Sequence, residues 1–238
     1  MKKRILVTGG SGRFGTILKK LKTNYKFFFP NKKTLDITKI RSIQKYIKFK
    51  KPNFVIHLAG LSRPMNIHDR QIKKSIDLNI IGTCNITKAC SEKNIKLIYF
   101  STNYVYPGKE GNYMESNSLL PVNNYAWSKL GGECAIRLYK NSLILRLSMT
   151  ERPFVHKAAF CDIKNSFMYH DEVAKILLKL LNVKGILNVG GKNQSVYNFA
   201  KIENPKIKKI FLKNNKKINM PFNSSINTEK LIKILKNK

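Results

Sequence analysis

The chain has 238 residues, 42% hydrophobic and 10% aromatic, which suits one domain or a domain with a small appendage and excludes a disordered chain. Lysine and arginine total 46 against 13 acids, a formal net charge of +33, but 38 of those cations are lysines spread along the whole length. Lys, Asn and Ile share A/T-rich codons, so the charge reads as a solvated lysine coat, and no specific nucleic-acid partner is expected.

No apolar run is long enough to span a bilayer, and no membrane partner is expected. The basic start Met1-Lys2-Lys3-Arg4 is followed by only three apolar residues before Thr8, too few for a secretory h-region, so a cytoplasmic location is expected. Cys84, Cys90, Cys134 and Cys161 form no CxxC pair and have no histidine at metal spacing. Cys84 and Cys90 read as buried thiols, and no metal is expected.

In chain order, residues 3–8 read as a short buried strand running into Thr8-Gly9-Gly10-Ser11-Gly12-Arg13-Phe14-Gly15, after which 12–21 has helical spacing. Strand, glycine turn and helix start together make a phosphate cradle, because free backbone N–H groups and the positive helix end face an anion. Further strands are expected at 25–29, 53–58, 95–101, 142–147 and 185–189. Helices are expected at 40–49, 69–92, 125–139, 171–181 and 228–235. This alternation predicts an α/β fold of Rossmann type, a doubly wound parallel sheet with ligands at the strand C-terminal ends. Residues 1–148 are expected to form the dinucleotide-binding domain. Residues 149–238 form a small substrate-binding lobe, partly interleaved with the core, and 206–219 is expected at the surface.

The expected fourth strand ends in Ser101-Thr102-Asn103-Tyr104, and Tyr125-Ala126-Trp127-Ser128-Lys129 follows on a helix. Tyr125 and Lys129 stand at i and i+4 on one helix face. A neighbouring ammonium favours a phenolate, so the pair reads as a proton-transfer device with a lowered tyrosine pKa, and Thr102 reads as a hydroxyl that holds the reacting oxygen. His57 ends a buried strand and reads as a core residue.

These segments resemble the extended short-chain dehydrogenases/reductases, in particular dTDP-4-dehydrorhamnose reductases and related sugar-nucleotide reductases. The resemblance rests on T-G-G-S-G-R-F-G at 8–15, L-D-I-T at 35–38, H-L-A-G at 57–60 and L-N-I-I-G-T at 78–83. It continues through S-T-N-Y-V-Y at 101–106, Y-A-W-S-K at 125–129 and N-V-G-G-K-N-Q-S at 188–195. It implies that Thr102, Tyr125 and Lys129 are the catalytic triad. Gly9, Gly12 and Gly15 cradle the cofactor pyrophosphate, with Arg13 and Phe14 of the same turn also in the cofactor site. Asp36 and Ile37 meet adenine, Ala59 and Gly60 line the cofactor, and Tyr125 and Lys129 contact it as well. Asn79 is left as structural. Asn103, Tyr104 and Arg152 are assigned to the substrate, Arg152 against a diphosphate or in a structural salt bridge.

The stretch Phe29-Pro30-Asn31-Lys32-Lys33 has no acid for a ribose 2′-hydroxyl, and Lys32 or Lys33 suits a 2′-phosphate, so NADPH is favoured over NADH. Asn103 replaces an acid and argues against a 4,6-dehydratase. The implied activity is NADPH-dependent reduction of a nucleotide-linked 4-keto-6-deoxy sugar, with Tyr125 as proton donor. An NAD-dependent epimerase and a non-catalytic dinucleotide-binding regulatory subunit are the alternatives, and a homodimer is the default assembly.

Overall fold

The computed structural model describes residues 2–214 and 220–237. Six strands form one parallel sheet: β1 (Arg4–Thr8), β2 (Lys26–Phe28), β3 (Phe54–His57), β4 (Lys96–Thr102), β5 (Ser142–Leu147) and β6 (Gly185–Val189). Their spatial order is β6-β5-β4-β3-β1-β2. The main helices are α1 (Arg13–Leu18), α2 (Ile40–Lys50), α3 (Gly82–Glu92), α4 (Asn124–Arg137), α5 (His170–Leu180), α6 (Val196–Lys201) and α7 (Glu229–Lys236).

The strands are mostly apolar because both faces of the sheet are covered. Ile5, Val7, Ile56, Ile98 and Leu145 point to one face, where α1, α5 and α7 supply Phe14, Leu18, Val173, Leu177 and Leu231. Leu6, Val55, Leu97, Tyr99 and Ile144 point to the other, against Ile43 and Ile47 of α2, Ile86 and Cys90 of α3, and Ile136 of α4. The α/β doubly wound fold read from the sequence is therefore the observed one. The strand order reverses between β1 and β3, and a crevice above their C-terminal ends is where this architecture holds ligands.

Two expected helices differ. The helix expected over 12–21 stops at Leu18, where Lys20 and Leu21 make i→i−3 bonds to Ile17 and Leu18 that tighten the last turn. The helix expected over 69–92 is broken: short turns Ile67–Arg70 and Ile72–Ser75 meet at Gln71, whose backbone leaves the helical region. A π-helical stretch Ile76–Ile81 then leads into α3. Beyond β5, three two-stranded pairs and α6 surround a small core of Ala159, Ile163, Val196, Ala200, Ile207 and Leu212. In the lysine-rich stretch, Lys206, Lys208 and Lys209 are exposed while Ile207 and Leu212 are buried; 215–219 lie outside the described residues. Cys90 is buried and Cys84 only partly so. Among the described residues no helix is long and apolar enough to cross a membrane.

One ion pair crosses the interior. Arg146 of β5 and Glu133 of α4 are 1% and 0% exposed, with Nη2 to Oε2 at 2.9 Å. Ser101 donates to Glu133. Arg146 Nη1 donates to Tyr106 Oη at 2.9 Å, and that hydroxyl donates to Asn188 Oδ1 at 2.9 Å. Arg146→Met leaves Glu133 as an unpaired buried charge, and denaturant unfolding should show a loss of about 3–5 kcal/mol. The double variant Arg146→Met/Glu133→Leu should recover most of that loss.

Candidate functional site

β1 delivers the chain into the glycine turn at Thr8. Gly9 adopts φ +72°, and a Cβ there would stand 2.6 Å from the Ala59 nitrogen, so only glycine lets the turn lie against the end of β3. A Cβ on Gly15 would meet the Gly10 carbonyl at 2.6 Å, so the start of α1 also packs directly on the turn. A Cβ on Gly12 would meet only the Gly9 oxygen, at 3.2 Å. The floor is pinned by His57, whose Nδ1 and Nε2 lie 2.7 and 3.0 Å from the hydroxyls of Thr8 and Thr83. Burial and the Lys129 charge bring its pKa down to about 3, so it is a neutral core residue, as its strand-end position suggested. Asn79 pairs with the Leu61 backbone in both directions and donates to Ser128 Oγ at 2.8 Å, tying the loop after β3 to α4.

On the other side, β4 ends at Thr102, whose Oγ1 accepts from Tyr104 N at 3.3 Å and caps a single 3₁₀ turn, Asn103–Val105. α4 begins at an Asn123 side-chain cap, which accepts from Ala126 N at 2.9 Å. Tyr125 and Lys129 follow on the face turned to β4 and line the same cleft as Thr102, with Lys129 Nζ 4.1 Å from the Tyr99 ring centroid. The sequence expectation of a lowered tyrosine pKa is corrected here. Burial pushes Tyr125 up to about 12, against the lowering effect of Thr102. Burial brings Lys129 down to about 7, against the raising effect of Glu133. Spacing identifies the neighbour, but desolvation disfavours the charged form of both groups and decides the sign.

A single cleft of about 1110 Å³ joins the two halves. It is lined by Gly9, Gly12, Arg13, Phe14, Gly15, Lys32, Asp36, Ile37, Ala59 and Gly60 at one end, and by Thr102, Asn103, Tyr104, Tyr125 and Lys129 further along. Within this set Asp36 Oδ1 is engaged by Thr38, through its N–H at 3.0 Å and its hydroxyl at 2.7 Å. The Asn103 amide is likewise committed, donating to Ser224 O at 2.8 Å and Asn165 Oδ1 at 3.1 Å.

Arg152 stands apart from the cleft. Its guanidinium is shared among Asp171, Glu172 and Glu203 at 3.6, 3.1 and 3.2 Å and lies 4.2 Å from the Tyr169 ring centroid, the salt-bridge arrangement rather than a diphosphate contact. Sequence reasoning missed Arg63, Glu151 and the apolar far end, where Phe154, Phe160, Phe167 and Met220 line the cleft. Arg63 had one usable signal, its place in the loop after an expected strand. The resemblance places 146–152 where related enzymes build the sugar-nucleotide site, but nothing in the sequence singles out Glu151, because its partners Arg13 and Arg63 lie far away. Burial works against its charge, yet the Arg13 hydrogen bond and the Arg63 charge bring its carboxyl down to about 2.

A family model described as the RmlD substrate binding domain matches residues 2–151. GDP-6-deoxy-D-talose 4-dehydrogenase of Aggregatibacter actinomycetemcomitans is 33% identical over 145 residues, 58% of this chain and 48% of that protein. Methionine adenosyltransferase 2 subunit beta of Xenopus laevis is 30% identical over 143 residues, 56% of this chain and 42% of that protein. The matched region thus spans less than half the length of these curated relatives. The crystal structure of dTDP-4-dehydrorhamnose reductase from Bacillus anthracis in complex with NADP superposes with a TM-score of 0.86 at 23% identity, covering 98% of this chain and 91% of that one, which is a likeness of fold.

The depressed Lys129 pKa has a consequence for stability. The unfolded chain holds this proton up to about 10.5 and the folded chain only to about 7. The buried amine therefore costs stability in full below pH 7, and the cost fades as pH rises from 7 to 10.5. Lys129→Met should stabilise the protein most at or below pH 7, with the gain in denaturation midpoint shrinking steadily above it. A gain independent of pH would contradict this.

Proposed function

The chain belongs to the family described as the RmlD substrate binding domain, and on that premise we propose that it is an NADPH-dependent reductase of a nucleotide-linked 4-keto-6-deoxy sugar. The observation that carries this reading is the single cleft, which begins at a glycine turn built for close backbone approach and runs past the buried Thr102 and Lys129 and the partly buried Tyr125. The names of relatives support the substrate class: GDP-6-deoxy-D-talose 4-dehydrogenase, and a dTDP-4-dehydrorhamnose reductase of the same fold bound to NADP.

NADPH fits the residues present. Gly9, Gly12 and Gly15 let the turn backbone be approached closely, Lys32 lines the cleft and would suit a 2′-phosphate, and the stretch 29–33 directly after β2 has no acid to receive a 2′-hydroxyl. When bound, the cofactor supplies a hydride to the sugar C4. The protein's part is to orient the keto group and deliver a proton. Tyr125, with its pKa near 12, holds that proton at neutral pH and gives it to the C4 oxygen, which Thr102 steadies through its hydroxyl. Lys129 sits one turn along the same helix, where its ammonium would help hold the nicotinamide ribose and would stabilise the phenolate left behind. The apolar far end, with three phenylalanines, would receive the nucleotide-sugar portion.

A second reading is favoured by one observation. The relatives named as methionine adenosyltransferase 2 subunit beta match at 30% identity, so a dinucleotide-binding subunit of a larger assembly keeps the same cleft without turnover. The Tyr125→Phe variant separates the two. With NADPH and a panel of nucleotide 4-keto-6-deoxy sugars, nicotinamide absorbance should fall over time, and Tyr125→Phe should slow the rate by about 10²–10⁴ while NADPH still binds. NADPH binding with no sugar consumed by the wild type would favour the subunit reading.

A further inference from the structure

Three charged side chains from three distant stretches of chain meet at the edge of the cleft. Arg13 comes from the glycine turn, Arg63 from the loop after β3 and Glu151 from the segment after β5. Glu151 Oε1 lies 2.6 Å from Arg13 Nη1. Both Glu151 oxygens accept from Arg63 Nη1 at 3.2 Å. The side chains of Arg13 and Arg63 are 50% and 41% exposed, while that of Glu151 is 17% exposed, so the carboxylate sits inside and the guanidiniums close over it. Glu151 and the Thr38-bound Asp36 are the only carboxylates lining the cleft among the described residues, against the cations of Arg13, Lys32, Arg63, Lys129 and Lys157. His170, more than nine-tenths buried, lines the same cleft, packs edge-on to Phe14, and has no partner for Nδ1 among the described residues.

One carboxylate shared by two guanidiniums beside a glycine turn has the charge and donor pattern of a bound phosphate group. Each guanidinium has five N–H donors, and Glu151 engages one nitrogen of each. We propose that Arg13 and Arg63 form a diphosphate seat, and that Glu151 fills it as an internal counter-anion which a ligand's diphosphate displaces. The inference rests on reading the cleft as a nucleotide site. It gives Glu151 a definite role: half of the seat's charge is offset, and stray anions attracted by a +33 protein meet it already occupied.

The test is a four-protein cycle of wild type, Glu151→Gln, Arg13→Gln/Arg63→Gln and the triple variant. Each is titrated at fixed salt with NADP⁺ in one arm and thymidine diphosphate in the other. In at least one arm Glu151→Gln should bind roughly three- to tenfold tighter than wild type, and the gain should fall below about twofold once both arginines are gone. The arm that shows it identifies the diphosphate as the cofactor's or the substrate's. Equal or weaker binding by Glu151→Gln in both arms overturns the proposal, and so does a gain that persists without both arginines, which would reflect only the protein's overall field. A wild type that binds neither probe overturns the nucleotide reading of the cleft, and the seat with it.

Discussion

The buried pair between Glu133 and Arg146 is the constraint on which the arrangement of the site depends. Neither charge can reach water, so each must be matched inside the protein, and the matching partners lie on β4, β5, β6 and the turn after β4. Ser101 is the residue before Thr102, and Glu133 is one helical turn beyond Lys129. A bond between them therefore sets the end of β4 against the Tyr125–Lys129 face of α4. Such a pair adds little net stability compared with a well-packed apolar substitute, but it allows few alternative registers of helix on sheet. The same carboxylate opposes the effect of burial on Lys129.

The other half of the cleft is held by backbone rather than by charge. The reversal of strand order between β1 and β3 opens the crevice, and Gly9 brings the turn close enough to Ala59 to floor it. His57 and Asn79 then connect this floor to α3 and α4 through neutral hydrogen bonds. Along the cleft, Glu151 engages two of the lining cations, Arg13 and Arg63. The proposed reductase would hold a dinucleotide and a second diphosphate in this one cleft.

Much of this was readable in the amino-acid order, and the limits have physical causes. β1, β3, β4 and β5 are mostly apolar runs buried on both faces, so they announce themselves, while the edge strands β2 and β6 are only partly buried. Gly9, Gly15, Tyr125 and Lys129 belong to motifs whose spacing is set by a turn or a helix, and the structure brings them to one cleft. Beyond β5 the sequence shows β6, α5 and α7 but not the small two-stranded pairs, whose strands are two or three residues long and pair with segments far away. Ion-pair partners share that difficulty: the carboxylates around Arg152, like Glu151 between Arg13 and Arg63, are assembled by the fold and leave no periodic trace. The Tyr125 pKa failed for another reason. Sequence shows which charges are near, whereas burial, which decided the direction, is a property of the folded chain.

The most direct test of the central claim is isotope transfer from cofactor to sugar. The protein would be incubated with NADPH deuterated at the nicotinamide C4 and a nucleotide 4-keto-6-deoxy sugar, and the product analysed by mass spectrometry and NMR. The account predicts a product alcohol with deuterium on the former keto carbon. Labelled NADPH that binds but leaves every sugar unlabelled and unreduced would contradict it.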